Sequence, residues 1–230
     1  MPNSSIPVLD RGFVRLIDHM GTDLTVVNAA RVSFGKRKEA FEPKDAELVE
    51  YLAEHEHTAP FRHAYLTFHV KAPIFVFRQW MKHRIASDFN EISGRYVEFP
   101  EDEFFVPDAF RQQAKVNKQG SEGEIDEVHR DQAREVFLAA CRNSVAEYKK
   151  LIAMGVCREQ ARCILPLGLY SEAYWTVSLQ AAAHFLHLRL DSHAQWEIRQ
   201  YAAAVRALIE PLFPESLKAL MKSPLDAVSK

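Results

Sequence analysis

The stretch from Val128 to Met154 reads as one long amphipathic helix, and no other feature limits the possible folds as much. Such a helix has to bury its apolar face against something. The rest of the chain offers mostly more helix. His193 to Leu212 reads as a second long one, the last in the chain, ending at Pro214. Shorter helices are expected from Leu24 to Phe34, beginning after Thr22 or Asp23, and from Pro43 to Glu54, with Leu48, Tyr51 and Leu52 on one face. Two more run from Ile74 to Lys82, with Pro73 at the start, and from Arg158 to Leu165, stopped by Pro166. Strands are fewer. Phe13 to Ile17 alternates weakly, Thr67 to Lys71 alternates up to Pro73, and a strand is expected around Tyr96 to Phe99. Tyr174 to Leu190 begins extended and turns helical, while residues 83–96 are polar and show neither period. Lys115 to Glu127, with two glycines and many charges, reads as an exposed loop. The fold class is α+β: one helix-rich domain over residues 1–230 with a small antiparallel sheet.

Composition removes several function classes. The 230 residues are 47% hydrophobic and 26% charged, as in an ordinary soluble protein with a core of useful size. A net charge of -2 gives no global field for nucleic acid or an anionic membrane. Cys141, Cys157 and Cys163 show no C-x-x-C spacing, which argues against a disulfide framework and a zinc knuckle. The first residues carry no basic-then-apolar signal region, and no apolar run approaches the roughly 20 residues of a membrane helix. The expectation is a cytoplasmic protein that binds neither membrane nor nucleic acid.

Polar chemistry concentrates in two places. Residues 78–95 read RQWMKHRIASDFNEISGR. The cluster follows an apolar helix, so it sits at a helix end beside the core. Its cations are mostly Arg, whose planar fork suits phosphate and carboxylate. Ser93-Gly94-Arg95 sets a glycine between a hydroxyl and a guanidinium, which lets backbone N–H groups approach an anion. These features outweigh a solvated charged face and point to a site for a phosphate-rich ligand. The second concentration runs from Arg158 to Gln195. On a helix, Ser178 and Arg189 would share a face, with Gln180, His184 and His187 roughly opposite. Polarity on two sides suggests a subunit junction; the plainer reading is one solvent face and one core face with satisfied histidines.

At these residues the chain resembles the flavin-dependent thymidylate synthases, the ThyX family. Their signature has the form R-H-R-x-x-S-x-N-E-x-S-x-R, and Lys82-His83-Arg84-Ile85-Ala86-Ser87 with Asn90-Glu91-Ile92-Ser93-Gly94-Arg95 matches it. Similar segments include AARVSF at 29–34, His55 to Phe61, FHVKAPIFVFRQW at 68–80, Arg162 to Tyr170 and LRLDSHAQWEIRQYA at 188–202. The resemblance covers most of the chain outside about 102–155 and the last residues. Three departures stand out. Lys82 replaces the first Arg; Asp88 and Phe89 occupy a one-residue gap, where the extra residue can bulge in a loop; Ser178-Leu179-Gln180 replaces an Asn-x-Arg stretch.

The resemblance implies an enzyme that methylates dUMP to dTMP. FAD is reduced by NADPH, and methylenetetrahydrofolate donates the carbon. It also implies a homotetramer with FAD and dUMP at subunit junctions. Carried over residue by residue, dUMP would be held by Gln79, Lys82, Glu91, Ile92, Ser93, Gly94, Arg95, Arg162 and Arg189. FAD would be met by His57, Lys82, His83, Arg84, Asn90, Glu91, Ser178, Gln180 and His184. Arg189 is the catalytic candidate: a cation beside the uracil favours ionised N3 and so a more nucleophilic C5. No cysteine lies in the Pro-Cys-Gln context of the cysteine-dependent synthases, and no G-x-G-x-x-G marks a Rossmann site.

Three rival readings fit the residues less well. A metal hydrolase would draw on His55-x-His57 or His184-x-x-His187, but neither has a third ligand at zinc spacing. A single-strand nucleic-acid module would use Trp80, Phe89 and Tyr96 as stacking platforms, but Asp88, Glu91 and Glu98 interrupt that patch. A purely structural helical protein leaves the polar cluster without a purpose.

Overall fold

The structure, a computed structural model, describes residues 4–116 and 118–222. Ser5–Val8 (β1) and Gly12–Met20 (β2) form a hairpin, followed by helices Asp23–Arg31 (α1) and Pro43–Glu54 (α2). Tyr65–Pro73 (β3) runs straight into Ile74–Trp80 (α3), and a turn leads to Ser87–Glu91 (β4). Arg111–Gln113 (β5) and Ser121–Glu124 (β6) make a small separate hairpin ahead of the long helix Glu127–Ala153 (α4) and the short Arg158–Ala161 (α5). Tyr170–Ser178 (β7) passes directly into Leu179–Leu190 (α6), then Trp196–Ile209 (α7) and Pro214–Lys222 (α8).

The main sheet has the order β1-β2-β3-β7-β4, and every pairing is antiparallel. Alternation decides which face is covered. Val14, Leu16, Leu66, Phe68, Val70, Ala173, Trp175 and Val177 point into the core. The other face is half-exposed and mixes polar side chains with Phe13 and Tyr174, which pack on His69. There the Thr67 and Thr176 hydroxyls meet at 3.1 Å, and His69 contacts Glu172 at 2.8 Å. Under the covered face Trp80 stacks on Phe185 at 4.7 Å and meets Trp175 edge-on at 5.1 Å. This aromatic block is the floor on which α3, β7 and α6 converge.

Two buried carboxylates fasten the helices. Asp45 is fully buried; it accepts from Arg31 Nη2 at 2.9 Å, Lys38 Nζ at 2.6 Å and the Glu42 N–H at 2.9 Å. Asp23 accepts from the N–H groups of Glu215 and Ser216, both at 2.9 Å, and so caps α8 from the far end of the chain.

The class expected from sequence, α+β with a small antiparallel sheet, is the one found. Several elements differ. Tyr96 to Phe99 is not a strand: the chain turns at residues 94–97, held by the Tyr96 and Val97 N–H groups on the Ser93 carbonyl, and runs on irregularly. The strand lies earlier, at β4, where one apolar residue, Phe89, gave no visible period. β1 is only four residues long and contains Pro7, and the β5–β6 pair carries no apolar side chain, so neither signals a strand. α7 is not the last helix, because Pro214 starts α8 rather than ending the run. α4 buries Cys141, Val145 and Tyr148 but leaves Val128 and Val136 exposed, at 83% and 63%. Among the described residues no helix is long and apolar enough to cross a membrane.

Candidate active site

The turn after α3, the first residue of β4, the end of β7 and one face of α6 enclose a cavity of about 360 Å3. Lys82, His83, Arg84 and Ile85 come from the turn, Ser87 from β4 and Val177 from β7. α6 contributes Gln180, Ala181, His184, Leu188 and Arg189. Gln180, His184 and Leu188 repeat at i, i+4 and stack along one face. The turn is fastened by Ala86, a non-glycine residue at φ 48°, whose carbonyl accepts from the Ser178 N–H at 3.0 Å. Such a left-handed residue costs roughly 1–2 kcal/mol, which the surrounding contacts must offset. Three cations line the cavity and no carboxylate does.

Arg189 is held from two sides. Its Nε–H donates to His83 Nε2 at 2.9 Å, and Nη2 donates to the Gln79 carbonyl at 3.3 Å. The rest of its five-donor fork remains available to a ligand. Burial lowers its pKa, but a guanidinium stays charged at neutral pH. An anion placed beside it would relieve that desolvation cost. His83 must be neutral to accept from Arg189. Burial first, then the charges of Arg189 and His184, depress its pKa to about 4.

The sign of the linkage follows. The folded pKa lies below the unfolded value near 6.5, so the unfolded chain takes up the proton first. Stability attributable to neutral His83 is whole above about 6.5 and is lost as pH falls toward about 4. In a histidine proton NMR titration His83 should show a midpoint near 4. A midpoint near 6.5 would mean that it does not hold Arg189 in this way.

Glu91, Ile92, Ser93, Gly94, Arg95 and Arg162 gather elsewhere, at the other end of β4, about 13 Å along a five-residue strand. Glu91 accepts from the Ser171 hydroxyl at 2.6 Å, and the Ile92 N–H donates to the Glu172 carbonyl. Arg95 pairs with Glu159 at 3.4 Å. Gly94 has a packing reason to be glycine: a Cβ there would meet the Phe99 ring at 2.5 Å and the Arg162 stem at 3.3 Å. His57 stands apart from the cavity, in an exposed cluster with Tyr51 and His55. One chain therefore brings together Lys82, His83, Arg84, Gln180, His184 and Arg189, with Gln79 behind Arg189. It does not bring the Ser93–Arg95 group or His57 to them.

Ser178 is fully buried and caps α6, its Oγ accepting from the Ala181 N–H at 3.3 Å. Two corrections to the sequence reading concern this region. Gln180, His184 and Arg189 line the same cavity although they lie apart around α6, because the long Arg189 side chain reaches from the last turn to His83 and the Gln79 carbonyl. The extra residue at Asp88–Phe89 makes no bulge. β4 pairs with β7 in unbroken register from Ser87↔Val177 to Glu91↔Ala173. Ser87 and Phe89 both turn to Trp175, the first accepting from its Nε1 at 2.7 Å and the second stacking at 5.9 Å. Period-two alternation then places Asn90 on the side opposite Ser87, whereas the signature's shorter spacing would place them together. The apolar lining of Ile85, Val177, Ala181 and Leu188 was missed, although Leu188 lies one turn beyond His184. Among the described residues no group of three or more His, Cys, Asp or Glu is placed to hold a metal ion.

The family described as thymidylate synthase complementing protein matches residues 15–215. A flavin-dependent thymidylate synthase of Thermus thermophilus is 50% identical over 210 residues, covering 91% of this chain and 76% of that one. One from Thermosipho africanus is 47% identical over 215 residues, covering 94% and 93%. The crystal structure of a UMP/dUMP methylase, PolB from Streptomyces cacaoi, bound with 5-Br dUMP, superposes with a TM-score of 0.83 at 34% identity, over 95% of this chain and 98% of that one. Fold and relatives together define a single-domain α+β methyltransferase. The chain belongs to the flavin-dependent thymidylate synthase family.

Proposed function

We propose that this protein methylates dUMP to dTMP with FAD as its cofactor, NADPH as the reductant and methylenetetrahydrofolate as the carbon donor. The observation that carries the reading is Arg189: a half-buried guanidinium pinned by neutral His83 and the Gln79 carbonyl, on a cavity lined by cations. The donor set fits a flavin dinucleotide. Ile85, Val177, Ala181 and Leu188 offer apolar wall, and Lys82, Arg84, Gln180 and His184 offer groups for phosphate and ring edges. Ile85, 85% exposed at the rim, is an apolar side chain waiting for cover. When bound, reduced FAD supplies the hydride that completes the methyl group. The chain's own work is binding and polarisation. Arg189 stabilises negative charge at uracil N3, which raises electron density at C5. His83 keeps the guanidinium from turning away. Arg95 and Arg162 suit the nucleotide phosphate.

Because Ser93, Arg95 and Arg162 lie at the far end of β4 from Arg189, a complete site draws on more than one copy. We therefore read the protein as a cytoplasmic homotetramer with its sites at subunit junctions. The uncovered apolar residues of α4 support such packing. The test is the anaerobic visible spectrum of the purified protein, followed by NADPH with and without dUMP. A flavin spectrum that bleaches faster with dUMP is the expected result. A protein that stays colourless after incubation with FAD would sink the proposal.

A further inference from the structure

A line of side chains leads away from the site to a buried carboxylate that the reaction itself does not call on. Glu197, in the first turn of α7, is 3% exposed. Its Oε1 accepts from Arg111 Nη2 at 2.8 Å and its Oε2 from Gln195 Nε2 at 2.9 Å. Gln195 Oε1 then accepts from Gln79 Nε2 at 2.6 Å. The Gln79 carbonyl in turn holds Arg189.

We propose that Glu197 is a positioning residue for methylation: acting through Gln195, it fixes the orientation of the Gln79 side chain and steadies the last turn of α3 that anchors Arg189. This rests on the reading of the site as a dUMP site. An amide can present either its oxygen or its nitrogen to a neighbour, and two amides in contact can reverse together at little cost. A carboxylate can only accept. With Glu197 at one end, Gln195 must turn its nitrogen to it and its oxygen to Gln79. Gln79 must then turn its nitrogen to Gln195, and its oxygen is directed elsewhere. Arg111 supplies the cation that a buried carboxylate needs. It comes from the β5–β6 hairpin, and its guanidinium also sits 5.5 Å over the Trp196 ring. One ion pair thus ties that hairpin to the nucleotide site.

Two variants test this. Glu197→Gln keeps the shape but adds N–H donors, so the relay can reverse. Gln195→Met cuts the relay at an exposed residue and leaves the core alone. Calorimetric titration of dUMP into the FAD-loaded enzyme should show affinity about tenfold weaker in both, the scale of one lost or misoriented hydrogen bond to a ligand. KM for dUMP should rise more than kcat falls. Gln195→Met should keep the wild-type melting temperature and flavin spectrum. Unchanged dUMP affinity in Gln195→Met overturns the proposal, and so does weakened affinity that only tracks a lower melting temperature. Wild-type enzyme that binds no dUMP overturns the substrate reading, and this inference with it.

Discussion

Arg189→Ala yields a folded protein whose dTMP formation is lower by about 10²–10³-fold, the usual effect of removing one preorganised stabiliser of developing charge. The side chain is half-buried, carries no ion pair among the described residues, and is held by a neutral histidine and a carbonyl. Its loss leaves His83 without a donor, which water entering the open cavity replaces. Melting temperature should therefore change little while turnover collapses. Arg189→Lys separates charge from shape. A lysine keeps the cation but cannot reach His83 and the Gln79 carbonyl as a rigid fork, so most of the loss should remain. Steady-state dTMP production alongside thermal melting checks both. Alanine variant activity within a few-fold of wild type would remove Arg189 from the mechanism.

The largest expected loss of stability lies far from the cavity. Asp45→Ala leaves Arg31, Lys38 and the Glu42 N–H facing a site that no longer accepts. Breaking one partner out of a buried ion pair costs about 3–5 kcal/mol, and the lower end applies because Arg31 and Lys38 keep some contact with water. For a domain of this size that is a drop in Tm of about 6–12 °C. The pH response has a definite sign. Burial alone would raise the Asp45 pKa. The hydrogen bonds from Lys38, the Glu42 N–H and Arg31 outweigh it and hold the carboxyl below the ordinary aspartate range. Stability from this carboxylate is present above the unfolded pKa and lost as pH falls through the folded one. Thermal melts of wild type and Asp45→Ala should converge in strong acid; a constant gap across pH would contradict this account.

What sequence made legible depends on how much apolar side chain each element carries. β2 and β3 show period two because one face of each is core, and α4 and α7 show their faces for the same reason; β7 reads only as an extended start at Tyr174, its first residues, Tyr170 and Ser171, both being buried. β4 reads Ser-Asp-Phe-Asn-Glu, and its core face is Ser87, Phe89 and Glu91. Two of those three meet the core through hydrogen bonds, to Trp175 and Ser171, so hydropathy cannot find the strand. The cap at Ser178 is hidden in the same way: a polar residue next to a site motif has two possible jobs, and its oxygen turns to its own helix. The cavity's cations were legible because they cluster in sequence. The Glu197–Gln195–Gln79 line was not, since its members are brought together by the docking of α7 against α3 and by the β5–β6 hairpin.

The position of β4 at the rim of the sheet has a further consequence. A terminal strand offers a row of unpaired backbone groups to any passing chain, and proteins commonly defend such borders with charge and brevity. Here the border is only five residues long and carries Asp88 and Glu91. The strand that carries part of the signature therefore also guards against runaway self-association. Apolar residues at Asp88 and Glu91 would strip that charge from the border and leave its backbone groups open to pairing with another chain.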